Sequence, residues 1–342
     1  MLSLRHALAL LVCLTLTACG SGDSTARPSP SPTLSATPSP SPSPTLVAVD
    51  PFTGLAPRPT APVVVVKVDN ASIARRFHRG LDKAAIVYEE LVESGETRLA
   101  AVYSAPEAGE VGPVRSIRES DIELLRQFGK VSVGFSGANT GVKASFARAV
   151  RAGQLLDASY DVVPQDYRLG ERRVDARNFF TVPRKLGTSR PGEAARDIGL
   201  RFGPLPLVGT VPAGAPAAAA TAVFSPFVSV SFTYDAATQA WAIAQNRRRM
   251  PAVAPANVIV QQVPITGSRY VDVRGNSSPY TVTTGTGSAT IFRDGRAIRV
   301  TWKRPTVSSG TRYLDAQGRD VPLRPGPTWV LLQPKGRLLT TR

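Results

Sequence analysis

A proline- and serine-rich segment, from Gly20 to about Asp50, has too few apolar residues to fold, and it precedes the part of the chain that can. Residues 38–44 read PSPSPSP, and the whole segment is poor in apolar side chains. Such a composition buries too little surface to offset its ordering entropy, and alternating prolines favour an extended polyproline II conformation. At ~3.1 Å per residue, roughly thirty residues reach up to ~90 Å. The sequence therefore predicts a tether over residues 19–50, and about 290 of the 342 residues remain for the fold.

A leader precedes this tether. Arg5 is followed by an apolar run over residues 7–17 that is too short to span a bilayer, which is typical of a secretory signal. The tetrapeptide Leu16-Thr17-Ala18-Cys19 resembles the lipobox of bacterial lipoproteins, in which the cysteine is acylated, for example with palmitate. We expect a signal peptide over residues 1–18, a lipid anchor at Cys19, the membrane as a partner, and a location on the extracytoplasmic face of the cell membrane. An ordinary cleaved signal with an incidental cysteine is the alternative.

Cysteine and histidine are scarce, which narrows the chemistry. Cys13 and His6 lie in the predicted signal, so the mature chain keeps only Cys19 and His78. An internal disulfide, a thiolate site and a histidine-rich metal centre are excluded, and we predict no metal and no cofactor. His78 is expected to be a surface residue in a basic loop, and catalysis would depend on carboxylates, hydroxyls, lysine or tyrosine.

The formal net charge is +16, and it is unevenly distributed. Residues 51–193 carry 21 Lys/Arg against 17 Asp/Glu, whereas residues 194–342 carry 18 against 6. An exposed run at Arg247-Arg248-Arg249 suits an anionic envelope polymer or lipid head groups. Nucleic acid is not an expected partner outside the cell, and part of the charge is also consistent with the drift of a GC-rich genome. The oligomeric state cannot be read from the sequence.

The charge shift and a breaker-rich stretch predict two domains. We expect an amino-terminal domain over residues 51–202, a linker over 203–221 and a carboxy-terminal domain over 222–342. The predicted fold class is α+β, with a mixed α/β first domain followed by a β-rich second domain. The patterns predict strands at residues 62–69, 86–92, 97–103, 131–135, 228–234, 241–244, 257–261, 289–292, 297–302 and 329–332, and helices from Ser116 to Gly129 and from Val142 to Arg151.

Several motifs in a fixed order resemble the YerB-like family of bacterial lipoproteins. In the first domain they are Val66-Lys67-Val68-Asp69-Asn70, Gly80-Leu81-Asp82-Lys83-Ala84, Val87-Tyr88-Glu89-Glu90, Glu93-Ser94-Gly95-Glu96-Thr97-Arg98 and Val111-Gly112-Pro113-Val114-Arg115-Ser116. In the second they are Asn257-Val258-Ile259-Val260-Gln261, Gly287-Ser288-Ala289 and Pro327-Thr328-Trp329. The resemblance implies a two-domain architecture and a location, but no reaction, because the family's domains are of unknown function. This chain has Asp175-Ala176-Arg177-Asn178 where relatives typically show Pro-His-Asn, so no role for that histidine is carried over.

Carboxylates cluster in one predicted hairpin. It holds Glu89, Glu90, Glu93 and Glu96, with Asp121 and Glu123 nearby in sequence. Strand periodicity places Glu89 and Glu93 on one face, so Glu89, Glu93 and Asp121 are the candidate catalytic groups for hydrolysis of a cell-wall glycan. Paired carboxylates could instead be ligands for a hard cation. Ion pairing with Arg98, Arg115 or Arg118 is the alternative and favoured interpretation.

A second group of residues suits an anion. The turn at residues 112–118 brings Arg115, Ser116 and Arg118 to the predicted start of a helix, where free N–H groups and the helix dipole favour negative charge. Asn70 and Asn139 are further candidate ligand contacts. The alternative is a salt-bridged helix cap.

The loop at residues 136–143 is rich in glycine but lacks the spacing of a phosphate-binding loop. The preferred hypothesis is therefore a binding or scaffolding module for an anionic envelope polymer or an envelope protein, with a carboxylate-dependent hydrolase as the alternative.

Overall fold

The valine run after the tether forms the central strand of the molecule. A computed structural model describes residues 47–105, 107–170, 178–208, 211–250, 252–271, 275 and 277–342. All six residues of the strand Val64–Asp69 are buried, because β-branched side chains pack well on both faces of a covered sheet. The predicted signal peptide, Cys19 and most of the predicted tether lie outside the described residues. Asp50 is already buried and accepts hydrogen bonds from the Phe52 amide (2.8 Å) and the Ser104 hydroxyl (2.6 Å).

Strands dominate the described chain. They are β1 (Val64–Asp69), β2 (Ile86–Leu91), β3 (Thr97–Tyr103), β4 (Val111–Val114), β5 (Ser132–Gly134), β6 (Leu156–Asp157), β7 (Tyr167–Leu169), β8 (Phe179–Thr181), β9 (Leu207–Val208), β10 (Val211–Pro212), β11 (Ala215–Pro216), β12 (Ala219–Val223), β13 (Ser229–Asp235), β14 (Ala240–Gln245), β15 (Arg248–Arg249), β16 (Asn257–Val263), β17 (Ile265–Val271), β18 (Ser277–Thr281), β19 (Gly285–Arg293), β20 (Arg296–Arg304), β21 (Arg312–Leu314), β22 (Thr328–Pro334) and β23 (Leu339–Thr341). The α-helices of the described residues are α1 (Glu119–Leu125), α2 (Thr140–Arg151) and α3 (Pro183–Ser189). Short 3-10 turns lie at Arg75–Phe77, Leu81–Lys83, Glu93–Gly95, Arg126–Phe128 and Pro164–Asp166.

The larger sheet of the described residues has 14 strands and runs through both halves of the sequence. Its main order is β11-β20-β19-β16-β22-β2-β3-β1-β4-β8-β7, with β21 beside β20 and β5-β6 beside β1. The two halves join where β2 and β22 pair in parallel, with Ile86 opposite Thr328 and Glu89 opposite Leu331. Strands from predicted domains one and two therefore share one hydrogen-bonded sheet.

The large sheet has two covered faces. On one face, which we call the helix face, Val65 and Tyr88 share a core with Leu124 of α1 and Phe146 of α2. On the other, the sandwich face, Val66 packs in a core with residues of a five-stranded sheet of order β15-β14-β13-β12-β23. Because strand side chains alternate, every residue of β1, β2 and β3 belongs to one of these two faces.

The predicted fold class is wrong. The protein is β-rich, with 41% strand and 15% helix, and its amino-terminal half is not a mixed α/β domain. The predicted helix after Ser116 shortens to the seven residues of α1 and a 3-10 turn, and α1 begins at Glu119 with Arg118 as its N-cap. Strands β4, β7 and β8 are short, and β4 contains Gly112 and Pro113, so no strand periodicity marked them.

Candidate functional site

A lysine buried inside the valine strand organises the helix face. Lys67 Nζ lies 2.7 Å from Glu90 Oε1 and 2.6 Å from Asp121 Oδ1, and all three side chains are almost completely buried. The Ser120 hydroxyl donates to Glu90 Oε2 at 2.7 Å. We call Lys67, Glu90, Asp121 and Ser120 the ion cluster. A sequence signal was present, because a lone lysine within consecutive valines requires a buried partner.

The charges of the ion cluster set its pKa values. Burial alone would raise the pKa of Glu90, but the Lys67 ammonium and the surrounding hydrogen bonds hold it below its usual range. Burial and the neighbouring Glu90 carboxylate instead raise the pKa of Asp121. Burial opposes the charge of Lys67, yet the two carboxylates raise its pKa. The cluster joins β1, β2 and α1 by charge and offers no exposed group to a substrate.

The predicted anion-binding arginines are both paired with carboxylates. Arg115 Nε lies 3.2 Å from Asp69 Oδ2, and its side chain is 29% exposed. Arg118 donates from Nε (3.0 Å) and Nη2 (2.6 Å) to Glu93 Oε2. Ser116 is half-buried beside them. The sequence had proposed such ion pairs as the alternative role of these arginines.

The N-terminus of α1 is capped by a carboxylate from the helix itself. The Arg118 amide donates to Asp121 Oδ2 at 2.7 Å, so a carboxylate already lies where a bound anion was expected. Asn139 is the N-cap of α2, and its Oδ1 accepts from the Val142 amide at 2.8 Å while its Nδ2 donates to the Val271 carbonyl. The ligand-binding role of these residues stays a prediction.

A second polar cluster occupies the sandwich face. Glu89 Oε1 accepts hydrogen bonds from the Thr97 hydroxyl at 2.9 Å and from Asn70 Nδ2 at 3.1 Å, and Glu89 Oε2 accepts from Trp329 Nε1 at 3.2 Å. Asn70 Nδ2 also lies 2.7 Å from Gln245 Oε1, on a strand of the five-stranded sheet. We call Glu89, Asn70, Thr97, Gln245 and Trp329 the carboxyl cluster. All five side chains are buried.

Glu89 has no ion pair among the described residues. Burial raises its pKa to about 7, and the hydrogen bonds from Thr97 and Trp329, together with the charge of Arg75, limit the rise. A carboxyl group with this pKa exchanges its proton near neutral pH.

The candidate catalytic carboxylates do not share a cleft. Glu89 lies on the sandwich face, whereas Asp121 and Glu93 contact residues of the α1 region on the helix face. Strand β2 ends at Leu91, so the alternation that predicted Glu89 and Glu93 on one face stops before Glu93, which lies in a 3-10 turn. Glu93 also accepts from the Ser278 hydroxyl at 2.5 Å.

A basic pocket lies beyond the carboxyl cluster. It has a volume of about 420 Å³ and lies between residues 75–82, which follow β1, and residues 248–250 and 252–253, which begin at β15. Its cationic wall comprises Arg75, Arg76, Arg79, Arg248 and Arg249. Leu81, Met250 and Val253 supply apolar lining. Asp82 is the one acidic residue in the lining of the described chain.

The basic side chains of this pocket differ in their ion pairs, ring contacts and hydrogen bonds. Arg79 Nη1 pairs with Glu110 at 2.7 Å, and the Arg76 guanidinium stacks 4.6 Å from the centre of the Phe77 ring. Within the described chain, the exposed side chains of Arg248 and Arg249 form neither ion pair nor hydrogen bond. Buried Arg75 Nη2 and His78 Nδ1 also lack a hydrogen-bond partner there. The pocket therefore combines two arginines that form no ion pair in the described chain with a buried guanidinium nitrogen, Arg75 Nη2, that forms no hydrogen bond there.

Local turn geometry presents Arg248 and Arg249. Asn246 and Arg247 both have positive φ values, 49° and 64°, which is the geometry of a two-residue hairpin turn. Asn246 supports it, because its Oδ1 accepts from the Ser229 amide at 2.9 Å. Arg248 then pairs opposite Gln245. The sequence marked both basic runs, but it could not show that they line one pocket, because they lie far apart in the chain.

His78 belongs to the pocket lining and not to a free surface loop. Its Nε2 lies 2.7 Å from the Asp69 carbonyl, so this nitrogen donates. Burial lowers the pKa of His78 to about 4, so the ring is neutral at physiological pH. Among the residues that the structure describes, no group of three or more His, Cys, Asp or Glu side chains could hold a metal ion. No helix there is long and apolar enough to cross a membrane.

Two family models match the chain. Residues 52–196 match the N-terminal domain, and residues 220–330 the C-terminal domain, of the protein of unknown function DUF3048. The crystal structure of YerB protein from Bacillus subtilis is similar, with a TM-score of 0.70 at 20% identity, over 86% of this chain and 99% of that one. No curated protein matches the sequence. The matches confirm the YerB-like resemblance, and the structural likeness at this identity concerns the fold alone.

Proposed function

The chain belongs to the DUF3048 family, and we propose that it is a lipid-anchored extracytoplasmic protein that binds an anionic envelope polymer through its basic pocket. The observation that carries this proposal is the pairing of two basic segments around one cavity, where Arg248 and Arg249 form no ion pair or hydrogen bond with the described residues. Guanidinium groups form bidentate hydrogen bonds with phosphate and carboxylate, and they remain charged at every physiological pH.

The size and lining of the pocket favour an organic ligand. A volume of about 420 Å³ falls within the range of pockets that hold small organic molecules and exceeds the need of a single inorganic anion. The apolar side chains of Leu81, Met250 and Val253 favour carbon-bearing groups between the charges. Several arginines also suit more than one anionic group. A short stretch of a polymer with an anion in each repeat meets all three conditions.

The amino-terminal sequence supports the location. A lipidated Cys19 would hold the protein at the membrane, and the proline- and serine-rich segment would let the folded part reach polymer well above the lipid surface. Positive charge in excess over residues 194–342 adds long-range attraction to a polyanion. The hydrolase alternative is not proposed, because Glu89 and Asp121 are buried on opposite faces of the sheet.

The test is a binding titration with a defined polyanion. We expect the wild-type chain to bind a poly(glycerol phosphate) oligomer, and the Arg248→Ala/Arg249→Ala variant to bind it at least about tenfold more weakly, because charged hydrogen bonds each contribute roughly 1.5–3 kcal/mol. Isothermal titration calorimetry measures both affinities. The matched control is Lys335→Ala/Arg337→Ala, which removes the same charge from exposed positions outside the pocket.

Equal weakening in both double variants would contradict a site and indicate only a general effect of net charge. A polyglutamate oligomer titrated in parallel distinguishes the class of anion. Tighter binding of polyglutamate than of poly(glycerol phosphate) would identify a polycarboxylate as the ligand of the same pocket.

A further inference from the structure

The carboxyl cluster touches the basic pocket through one shared residue. We infer that Glu89 positions Arg75 in the pocket through Asn70, and that anion binding in the pocket is coupled to proton uptake by Glu89. This inference rests on the proposed function, because it concerns the same pocket. Glu89 is here a positioning residue and does not contact the ligand.

The first connection runs along the segment after β1. Glu89 Oε1 accepts from Asn70 Nδ2 at 3.1 Å, and the Asn70 carbonyl accepts from Arg75 Nε at 3.0 Å. Arg75 is only 8% exposed, and its buried Nη2 has no hydrogen-bond partner in the described part of the chain. One hydrogen bond therefore holds the guanidinium against the Asn70 carbonyl, and the Asn70 side chain links that contact to Glu89.

The second connection reaches the opposite wall of the pocket. Gln245 Oε1 accepts from Asn70 Nδ2 at 2.7 Å, and Gln245 Nε2 donates to the Thr97 hydroxyl at 2.9 Å. Gln245 pairs opposite Arg248 across the β14-β15 hairpin. The carboxyl cluster thus fixes the two basic segments relative to each other, although one follows β1 and the other begins at β15. Hydrogen bonds through Asn70 therefore connect Glu89 to both sides of the pocket.

The charges around Glu89 give the coupling its sign. Arg75 exerts the largest effect of any charged residue on Glu89, and the hydrogen-bond partners Asn70, Thr97 and Trp329 are neutral. Arg75 also pairs with Glu96, with 3.8 Å between Nη2 and Oε2, and the charges of Arg248 and Asp69 act on it as well. An ionised Glu89 neutralises part of the charge of Arg75 and repels an incoming anion. A protonated Glu89 leaves more of the charge of Arg75 to the ligand.

Binding is therefore tighter on the acid side. Burial places the pKa of Glu89 at about 7, so its protonation changes across the neutral range. His78, which lines the pocket, has its pKa lowered by burial to about 4 and stays neutral in this range. A phosphodiester probe does not titrate there either. The change in affinity then reports Glu89.

The experiment compares affinities for a poly(glycerol phosphate) oligomer at about pH 6 and about pH 8. If the anion raises the pKa of Glu89 by about one unit, the wild-type affinity falls about fivefold between these values. Glu89→Gln, which is isosteric and carries no charge, is expected to bind with a flat profile. Asp121→Asn is the matched control, because Asp121 is a buried carboxyl with a raised pKa on the other face, and this variant should keep the wild-type profile.

A second measurement needs no variant. Calorimetric titrations of the wild-type chain at about pH 7 in buffers of different ionisation enthalpy should show net proton uptake on binding. Binding with a flat wild-type profile and no proton uptake would overturn the coupling and leave the proposed function intact. A pH slope of the wild-type size that persists in Glu89→Gln would also overturn it. Absence of any binding would refute both proposals together.

Discussion

The two buried polar clusters lie on opposite faces of strand β2, and they offset the cost of buried charge in opposite ways. On the helix face, Glu90 is paired with a buried lysine at 2.7 Å. On the sandwich face, its neighbour Glu89 is surrounded by neutral donors and is easily protonated, with a pKa of about 7. Burial penalises the charged form in both places, so the outcome depends on whether a cation is within contact distance. One cluster is suited to holding the fold, and the other to responding to its surroundings.

The largest expected effect is the stability lost when the ion cluster loses its one cation. Lys67→Met leaves Glu90 and Asp121 buried without a cation, and we expect the free energy of unfolding to fall by about 3–5 kcal/mol. Urea denaturation followed by tryptophan fluorescence measures the loss. The control is Lys67→Met in a Glu90→Gln/Asp121→Asn background, where the loss should be much smaller because no charge is left unpaired. A loss below about 1 kcal/mol for the single variant would mean that the ion cluster does not hold the fold.

A smaller effect concerns the pH dependence of stability. The pKa of Glu89 rises from 4.5 to about 7 on folding, mainly through burial. The folded chain therefore keeps this proton where the unfolded chain has lost it, so the stabilisation is complete below the unfolded value and is lost as the pH rises through about 7. We expect the stability difference between wild type and Glu89→Gln to change by ~2–3 kcal/mol between about pH 5 and about pH 8, with the wild type losing more. Parallel denaturation curves at several pH values measure it, and parallel profiles would show that Glu89 is not protonated in the folded state.

Local patterns predicted much of the fold. The alternation over residues 97–103 matches β3, and the Asp294-Gly295 signal matches the turn between β19 and β20. The helix predicted from Val142 to Arg151 is the body of α2. These elements are confirmed. They could be predicted because the residues that specify each one lie close together in the sequence. The short strands around Gly112 and Phe179 carry no such signal, and their pairing comes from the large sheet.

The candidate site was harder to predict from the sequence than these elements, because its residues come from distant parts of the chain. Asn70 and Gln245 are 175 residues apart and meet only because one sheet packs on the other. The residues of the carboxyl cluster come from β2, β3, β14, β22 and the end of β1, so no spacing rule joins them. Arg115 and Arg118 did carry a local signal, but that signal fits a salt-bridged turn as well as an anion site, and only the positions of Asp69 and Glu93 show that both are paired.

The central claim is that the anion binds at the unneutralised arginines beyond the carboxyl cluster and not at the paired arginines of the helix face. A crystal structure of the protein grown with a poly(glycerol phosphate) oligomer tests this most directly. We expect phosphate density within hydrogen-bond distance of the Arg248 or Arg249 guanidinium. Density beside Arg115 and Arg118, with the basic pocket free of phosphate, would contradict it.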